Sequence, residues 1–351
     1  MEISMSIRNT ISTILWSLGY DLVPRIQSVK FRHALPRLRF RREIGSSRLL
    51  IDKGRTMEVE ERLSRLVNEI LAHPERGAYA DVLLQGSALL LKVYRSHSNT
   101  TKGASLCHQL LVALPAHEEF YDELTRIAFP GEDYFGILRE IHAARRPKFY
   151  LEIGVFEGAS LSLVQAGTVG VGVDPAPQIK HKIPRNVRVF VETSDEFFAE
   201  YEARVGGRTI DMAFIDGLHH FEQTLRDFIN VERRTSSDGL ILIHDCIPVD
   251  ETSSSRERRT LFWSGDVWKC LAILMDCRAD LDIKVIGTAP TGLVIVRGLD
   301  VNSRVLANQY DDLVEHYMNL SFADWRRSYA PRVHAITSGS TDAARTLRSE
   351  R

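Results

Sequence analysis

Between Met57 and Arg146 apolar residues recur every three or four positions. Val59, Leu63, Leu66, Val67, Ile70 and Leu71 set the spacing that one buried helix face requires. Similar blocks cover 79–94, 104–114, 118–127 and 134–144, punctuated by Pro74, Gly77, Gly103, Pro115, Pro130 and Gly131. At Lys148 the texture changes to short apolar runs separated by longer mixed segments. The runs are Phe149–Ile153, Val169–Val173, 187–191, Ile210–Ile215, 240–243, 283–286 and 293–296. The first five are far enough apart for crossover helices, so their strands should be parallel. Only Gly287 to Gly292 separates the last two, which predicts an antiparallel hairpin. The whole reads as an α/β fold, an open sheet with helices on both faces, preceded by a helical region.

The pattern divides the chain into a basic, partly disordered arm (1–55), a helical region (56–146), a sheet-bearing domain (147–300), a C-terminal helical segment (301–330) centred on one helix over 301–318, and a disordered tail (331–351). Residues 1–50 hold nine basic and three acidic side chains. Such an arm reads as solvated, with a membrane-surface or partner-docking segment as the alternative. Over all 351 residues 45 basic side chains meet 46 acidic ones, so no nucleic-acid partner is expected. The longest uncharged stretch is the 16 residues from Gly158 to Val173, which predicts no transmembrane span. Cys107, Cys246, Cys270 and Cys277 form no CxxC pair, and no secretory leader is evident; both point to a reducing cytoplasm.

Candidate chemistry gathers where the predicted strands end. After Glu152 and Ile153 come Gly154 and Gly158, with a helix expected to open near Ser160. Glycine there permits a sharp turn and close approach of a ligand. The Gly-x-x-x-Gly spacing lacks the tighter fingerprint of a pyrophosphate site and favours a nucleoside without phosphates. Asp174, at the end of the next run, can accept both ribose hydroxyls. Ser194 either caps the following helix or, with Asp195, meets an adenine edge. Asp216 and Asp245 end neighbouring runs, with His219, His220 and His244 nearby. That cluster suits a divalent cation holding a substrate oxygen, or an imidazole base. His220 and Asp227 read as surface or cap residues. The polar stretch 246–260, carrying Arg256, Arg258 and Arg259, reads as a lid whose arginines meet either an acidic substrate or water.

These residues resemble class I S-adenosylmethionine-dependent methyltransferases over 148–298. The resemblance rests on Glu152-Ile-Gly-x-x-x-Gly-x-Ser160, Asp174, Thr193-Ser-Asp-Glu-Phe-Phe198, Asp216-Gly-x-His219 and His244-Asp245. The last three are similar to the macrocin-type subgroup of sugar and natural-product O-methyltransferases. The resemblance implies a sheet ordered 3-2-1-4-5-7-6 and S-adenosyl-L-methionine as cofactor. Glu152, Gly154, Gly158 and Ser160 would then surround its methionine and ribose side, Asp174 would hold the ribose, and Ser194 with Asp195 the adenine end. It further implies His219 as base for O-methylation of a small-molecule or glycan hydroxyl, with Asp216 and Asp245 positioning the acceptor or binding Mg²⁺. Some metal-dependent members carry an acid where this chain has His244, and hard Mg²⁺ prefers oxygen. Two rival readings are a scaffold protein that keeps the fold and an NAD-dependent oxidoreductase, which the glycine spacing disfavours.

Overall fold

The computed structural model describes residues 34–114, 117 and 119–339, so the readings made on 1–33 and 340–351 lie outside the described residues. The chain divides into two compact units, 1–115 and 116–351.

The described part of the first unit is helical: α1 (Ala34–Asp52), α2 (Thr56–Leu71), α3 (Ala80–Ser96) and α4 (Thr100–Ala113). Helix α1 occupies much of the segment read as a partly disordered arm. Its Phe40 and Ile44, one turn apart, are buried, and that burial outweighs the surrounding arginines. Arg39 pairs with Glu69 and Arg41 with Asp81 (2.8 Å), so part of the basic excess is neutralised within the unit. Asn99 caps α4 by accepting from the Lys102 backbone at 3.2 Å.

The second unit opens with α5 (Glu119–Ala128) and α6 (Tyr134–Arg145), which the sequence pattern groups with the helical region. Its sheet contains β1 (Phe149–Ile153), β2 (Val169–Val173), β3 (Val187–Phe190), β4 (Ile210–Ile215), β5 (Thr235–His244), β6 (Asp282–Gly287), β7 (Leu293–Arg297) and β8 (Thr337–Gly339). The order is 3-2-1-4-5-7-6-8. Strands β1 to β5 run parallel, and β7 returns antiparallel to both β5 and β6. Strand β8 is a correction: Thr337 pairs with Val285 where the sequence reading places a disordered tail. The expected single helix over 301–318 is likewise two, α11 (Val305–Asn308) and α12 (Tyr310–Met318), separated at Gln309.

Parallel strands must be covered on both faces. Helices α7 (Ser194–Ala199), α8 (Tyr201–Val205), α9 (Phe221–Glu232), α10 (Trp268–Cys277) and α12 build the core on Leu151, Ile153, Ala213, Ile215, Ile241 and Ile243. The alternate residues Tyr150, Met212, Phe214, Leu240 and Leu242 face α6 through Ile137, Leu138 and Ile141. The crossover helices expected after β1 and β2 are absent. Between β1 and β2 there is only a 3-10 turn, Leu161–Leu163. A side chain at Gly172 would come within 2.7 Å of both Leu161 and Val155, so the bare backbone of β2 lets the connection itself lie on the sheet. Pro175, Pro177 and Pro184 keep the next connection from becoming helical.

The core holds a buried, two-pronged ion pair. Arg278, at the end of α10, is fully buried and donates to both oxygens of Glu232 at 2.7 Å. Arg278→Ala leaves the Glu232 carboxylate without its cation and should lower unfolding stability by roughly 3–5 kcal/mol. An unchanged midpoint in a guanidinium titration would show that the pair contributes nothing.

Candidate active site

The C-terminal ends of the parallel strands open into a cavity of about 960 Å³. Its construction begins at β1. Gly154 turns with φ +88°, and a side chain there would lie 1.9 Å from the carbonyl oxygen of Asp216. Only glycine lets the mouths of β1 and β4 close this far. The turn is then fastened by Asp174, which receives the Val155 and Phe156 backbone N–H groups at 2.9 and 2.8 Å on one oxygen and Ala176 at 2.7 Å on the other. Asp174 lines the cavity and organises its wall at the same time.

Glu152 and Gly158 are not among the lining residues, whereas Gly154 and Ser160 are. Glu152 is fully buried behind the wall and accepts from Tyr150 Oη at 2.6 Å and Ser160 Oγ at 2.7 Å. Burial dominates and lifts its carboxyl to about 8 against these two donors, so Glu152 carries its proton at neutral pH.

At β3 the helix cap is Thr193, which forms a capping box with Glu196. Ser194 is therefore not the cap, and its hydroxyl accepts from Gln223 Nε2 at 3.1 Å. Asp195 is paired with Arg226 at 2.6 Å. Asp227, expected at the surface or in a cap, is buried on the cavity wall, and burial raises its carboxyl to about 7. Gln223 links all three through contacts of 3.1 to 3.3 Å. It carries no motif and the sequence reading missed it; its spacing of four residues from Asp227 on α9 is the one signal that could have found it.

The ends of β4 and β5 bring Asp216, His219 and Asp245 together. His219 Nε2 lies 3.3 Å from Asp216 Oδ1 and 3.1 Å from Asp245 Oδ2. His219 Nδ1 donates to the Trp263 carbonyl at 3.0 Å, which fixes the ring with Nε2 toward the acids. Behind them, His244 Nδ1 sits 3.4 Å from each carboxylate and its ring packs 4.2 Å from that of Tyr134. Thr291 donates to Asp245 at 2.6 Å. Burial opposes charge on both imidazoles, yet the two carboxylates outweigh it and hold both histidines well above their ordinary value. Asp216 is correspondingly held down by the two histidines against its own burial. His219 and Asp245 both adopt φ of 60°, a conformation non-glycine residues keep only when the surroundings enforce it. Enforcement comes partly from Gly265, whose missing side chain leaves room for the His219 carbonyl, and from Asp266 N–H, which donates to that carbonyl at 3.2 Å.

One carboxylate oxygen of Asp245 is buried without a hydrogen-bond partner, and oxygen or nitrogen atoms of Asp216, His219 and Asp245 lie within 4.8 Å of one another. The two carboxylates fit a small divalent cation that prefers oxygen, with the His219 imidazole beside it. Tyr134, Phe135, Phe262, Trp263 and Pro290 complete this end of the cavity, with Arg258 at the rim. Tyr134 lies upstream of the sheet, on a helix that no motif marks, so the sequence pattern did not reveal it.

Residues 151–246 match the family model described as a methyltransferase domain. The match spans β1 to the end of β5, and the observed strand order with its antiparallel hairpin is the one that family resemblance implies. The second unit carries a methyltransferase domain over these residues. The methyltransferase domain is similar to several solved structures. One is the O-methyltransferase TomG from Streptomyces achromogenes in complex with SAM: 14% identity, 47% of this chain and 78% of that one, TM-score 0.38. Another is an O-methyltransferase from Bacillus cereus with SAH: 12% identity, 56% and 98%, TM-score 0.38. A third is the SAH-bound Podospora anserina methyltransferase PaMTH1: 17% identity, 58% and 96%, TM-score 0.39. No curated protein matches the chain. No helix among the described residues is long and apolar enough to cross a membrane.

The state of Glu152 makes the methyltransferase domain sensitive to pH. Its folded value of about 8 exceeds the ordinary 4.5, so folding retains a proton that the unfolded chain releases. The associated stability is complete below about pH 4.5 and is lost as pH rises to about 8, with an amplitude on the order of a few kcal/mol. Glu152→Gln, which keeps one acceptor oxygen and offers an NH2 donor that the other hydroxyl can accept, should flatten this part of a melting-temperature profile. A wild-type-like slope in the variant would rule Glu152 out as its source.

Proposed function

We propose that this chain transfers a methyl group from S-adenosyl-L-methionine to a hydroxyl of a sugar, glycan or natural product. The observation that carries the reading is the sharing of one cavity by the glycine turn, Asp174 and Ser194 on one side and Asp216, His219 and Asp245 on the other. A transfer reaction needs both halves in one enclosed space. When bound, the cofactor supplies a methyl group on a positively charged sulfur.

Gly154 and Ser160 border the methionine and ribose end, with Glu152 and Gly158 supporting that wall from behind. Asp174 receives a ribose hydroxyl on the Oδ1 lone pair left by its three backbone donors. Ser194 and Asp195 meet the adenine end, and Gln223 holds both in place. His219 is the proton acceptor. When the acceptor oxygen takes the methyl group that the bound cofactor would supply, its hydroxyl proton would pass to His219 Nε2. The two carboxylates beside that nitrogen raise its basicity. A divalent cation such as Mg²⁺ on Asp216 and Asp245 would take up the same negative charge and supply Lewis acidity at the acceptor oxygen. Trp263, through its carbonyl, keeps the ring aimed at the acceptor.

Calorimetric titration with S-adenosylhomocysteine tests the first half: micromolar binding is expected, weakened at least about tenfold by Asp174→Ala. His219→Ala should retain that binding while turnover falls about 10²- to 10⁴-fold. A folded protein that does not bind S-adenosylhomocysteine would overturn the reading, and unchanged turnover in His219→Ala would reject the base. Removal of divalent cations with EDTA should lower turnover, with recovery on adding Mg²⁺; insensitivity to both would reject the cation.

A further inference from the structure

We propose that the acceptor carries a carboxylate beside its reactive hydroxyl, and that Arg258 is the residue that selects it. This rests on the methyl-transfer reading above. The loop after β5 holds three arginines, and the structure separates their partners. Arg256 makes a two-pronged pair with Glu222 on α9. Arg259 pairs with Glu257 at 3.0 Å. Arg258 donates only to the Leu261 carbonyl at 3.0 Å and lines the cavity. Among the described lining residues it is the only lysine or arginine.

Its place relative to the base is set by Trp263. The Trp263 ring lies 5.4 Å from that of His219, and the Arg258 guanidinium lies 5.8 Å from the Trp263 ring. A cation thus stands one indole away from the proton acceptor, on the acceptor end of the cavity. The support is firm on both flanks: Arg256 is held by Glu222, and Trp263 Nε1 donates to the Ser255 carbonyl at 2.7 Å. Phe262 is stacked on Tyr121 at 4.7 Å, adding a flat wall. A guanidinium with free donors beside an aromatic face recognises a planar oxyanion well. A singly charged, planar carboxylate matches the fork of one guanidinium, and no second lysine or arginine among the described lining residues is there to hold the further charge of a phosphate dianion.

The test uses the full chain saturated with S-adenosylhomocysteine, titrated with matched acceptors. The probes are 3,4-dihydroxybenzoate against 3,4-dihydroxybenzamide, and glucuronic acid against glucose. In at least one pair the acid should bind about tenfold tighter or more, the effect of one charge-assisted hydrogen bond. Arg258→Met, which keeps the apolar stem, should abolish that preference, and Arg258→Lys should restore part of it. Equal affinity within both pairs, or no binding of either acid at millimolar concentration, would overturn the proposal while leaving the cofactor site intact. So would a preference that survives Arg258→Met. Failure of S-adenosylhomocysteine itself to bind marks the separate failure of the methyl-transfer reading, and this proposal falls with it.

Discussion

The close approach of β1 and β4 at their C-terminal ends is the constraint from which the cavity follows. Ile153 and Asp216 exchange a backbone hydrogen bond of 2.8 Å, Gly154 receives no side chain because the Asp216 carbonyl occupies the space, and Gly154 N–H reaches the Val173 carbonyl at 2.9 Å. Three strand mouths are thereby brought to one point. Asp174 then draws the following turn inward with its three backbone donors. Everything on the cofactor side is built on that turn, and the Asp216 side chain is presented from its other flank.

The polar cluster on the acceptor side obeys a different rule. Four ionisable groups are crowded behind Trp263, and none is neutralised by a lysine or arginine. The two carboxylates lie against both imidazoles and hold both histidines toward the charged form. Backbone conformations that are unfavourable in isolation, at His219 and Asp245, persist because the segment 264–266 and Thr291 close around them. A dense core thus supports a site kept in a conformation it would not adopt alone.

Much of this was legible in the sequence. The strands have apolar runs bounded by turn residues, and their burial on both faces leaves a signal that needs no tertiary information. Asp174, Asp216, His219 and Asp245 follow those runs directly, so their convergence could be read from the parallel order. Other features depended on contacts between distant segments. Gly170 and Gly172 read as ordinary strand residues, yet they allow the β1–β2 connection to forgo a helix. Ser194 and Thr193 both have capping side chains, and only the geometry shows that Thr193 takes the role. Tyr134 and Gln223 reach the cavity from helices without any local motif. Helix α1 is rich in charge and strand β8 is short and polar, and each takes its place from what it packs against.

The anchoring of the loop after β5 separates two tasks that the cavity combines. Arg256 ties one end of it to α9, and Trp263 ties the other to Ser255 while holding the base. Between these moorings, Arg258 and Phe262 line the acceptor end of the cavity. Their positions are open to drift: a changed side chain at 258 or 262 would redefine which molecules enter. In that sense the loop is an exchangeable cassette, through which one scaffold can diversify its chemistry of recognition faster than its chemistry of reaction.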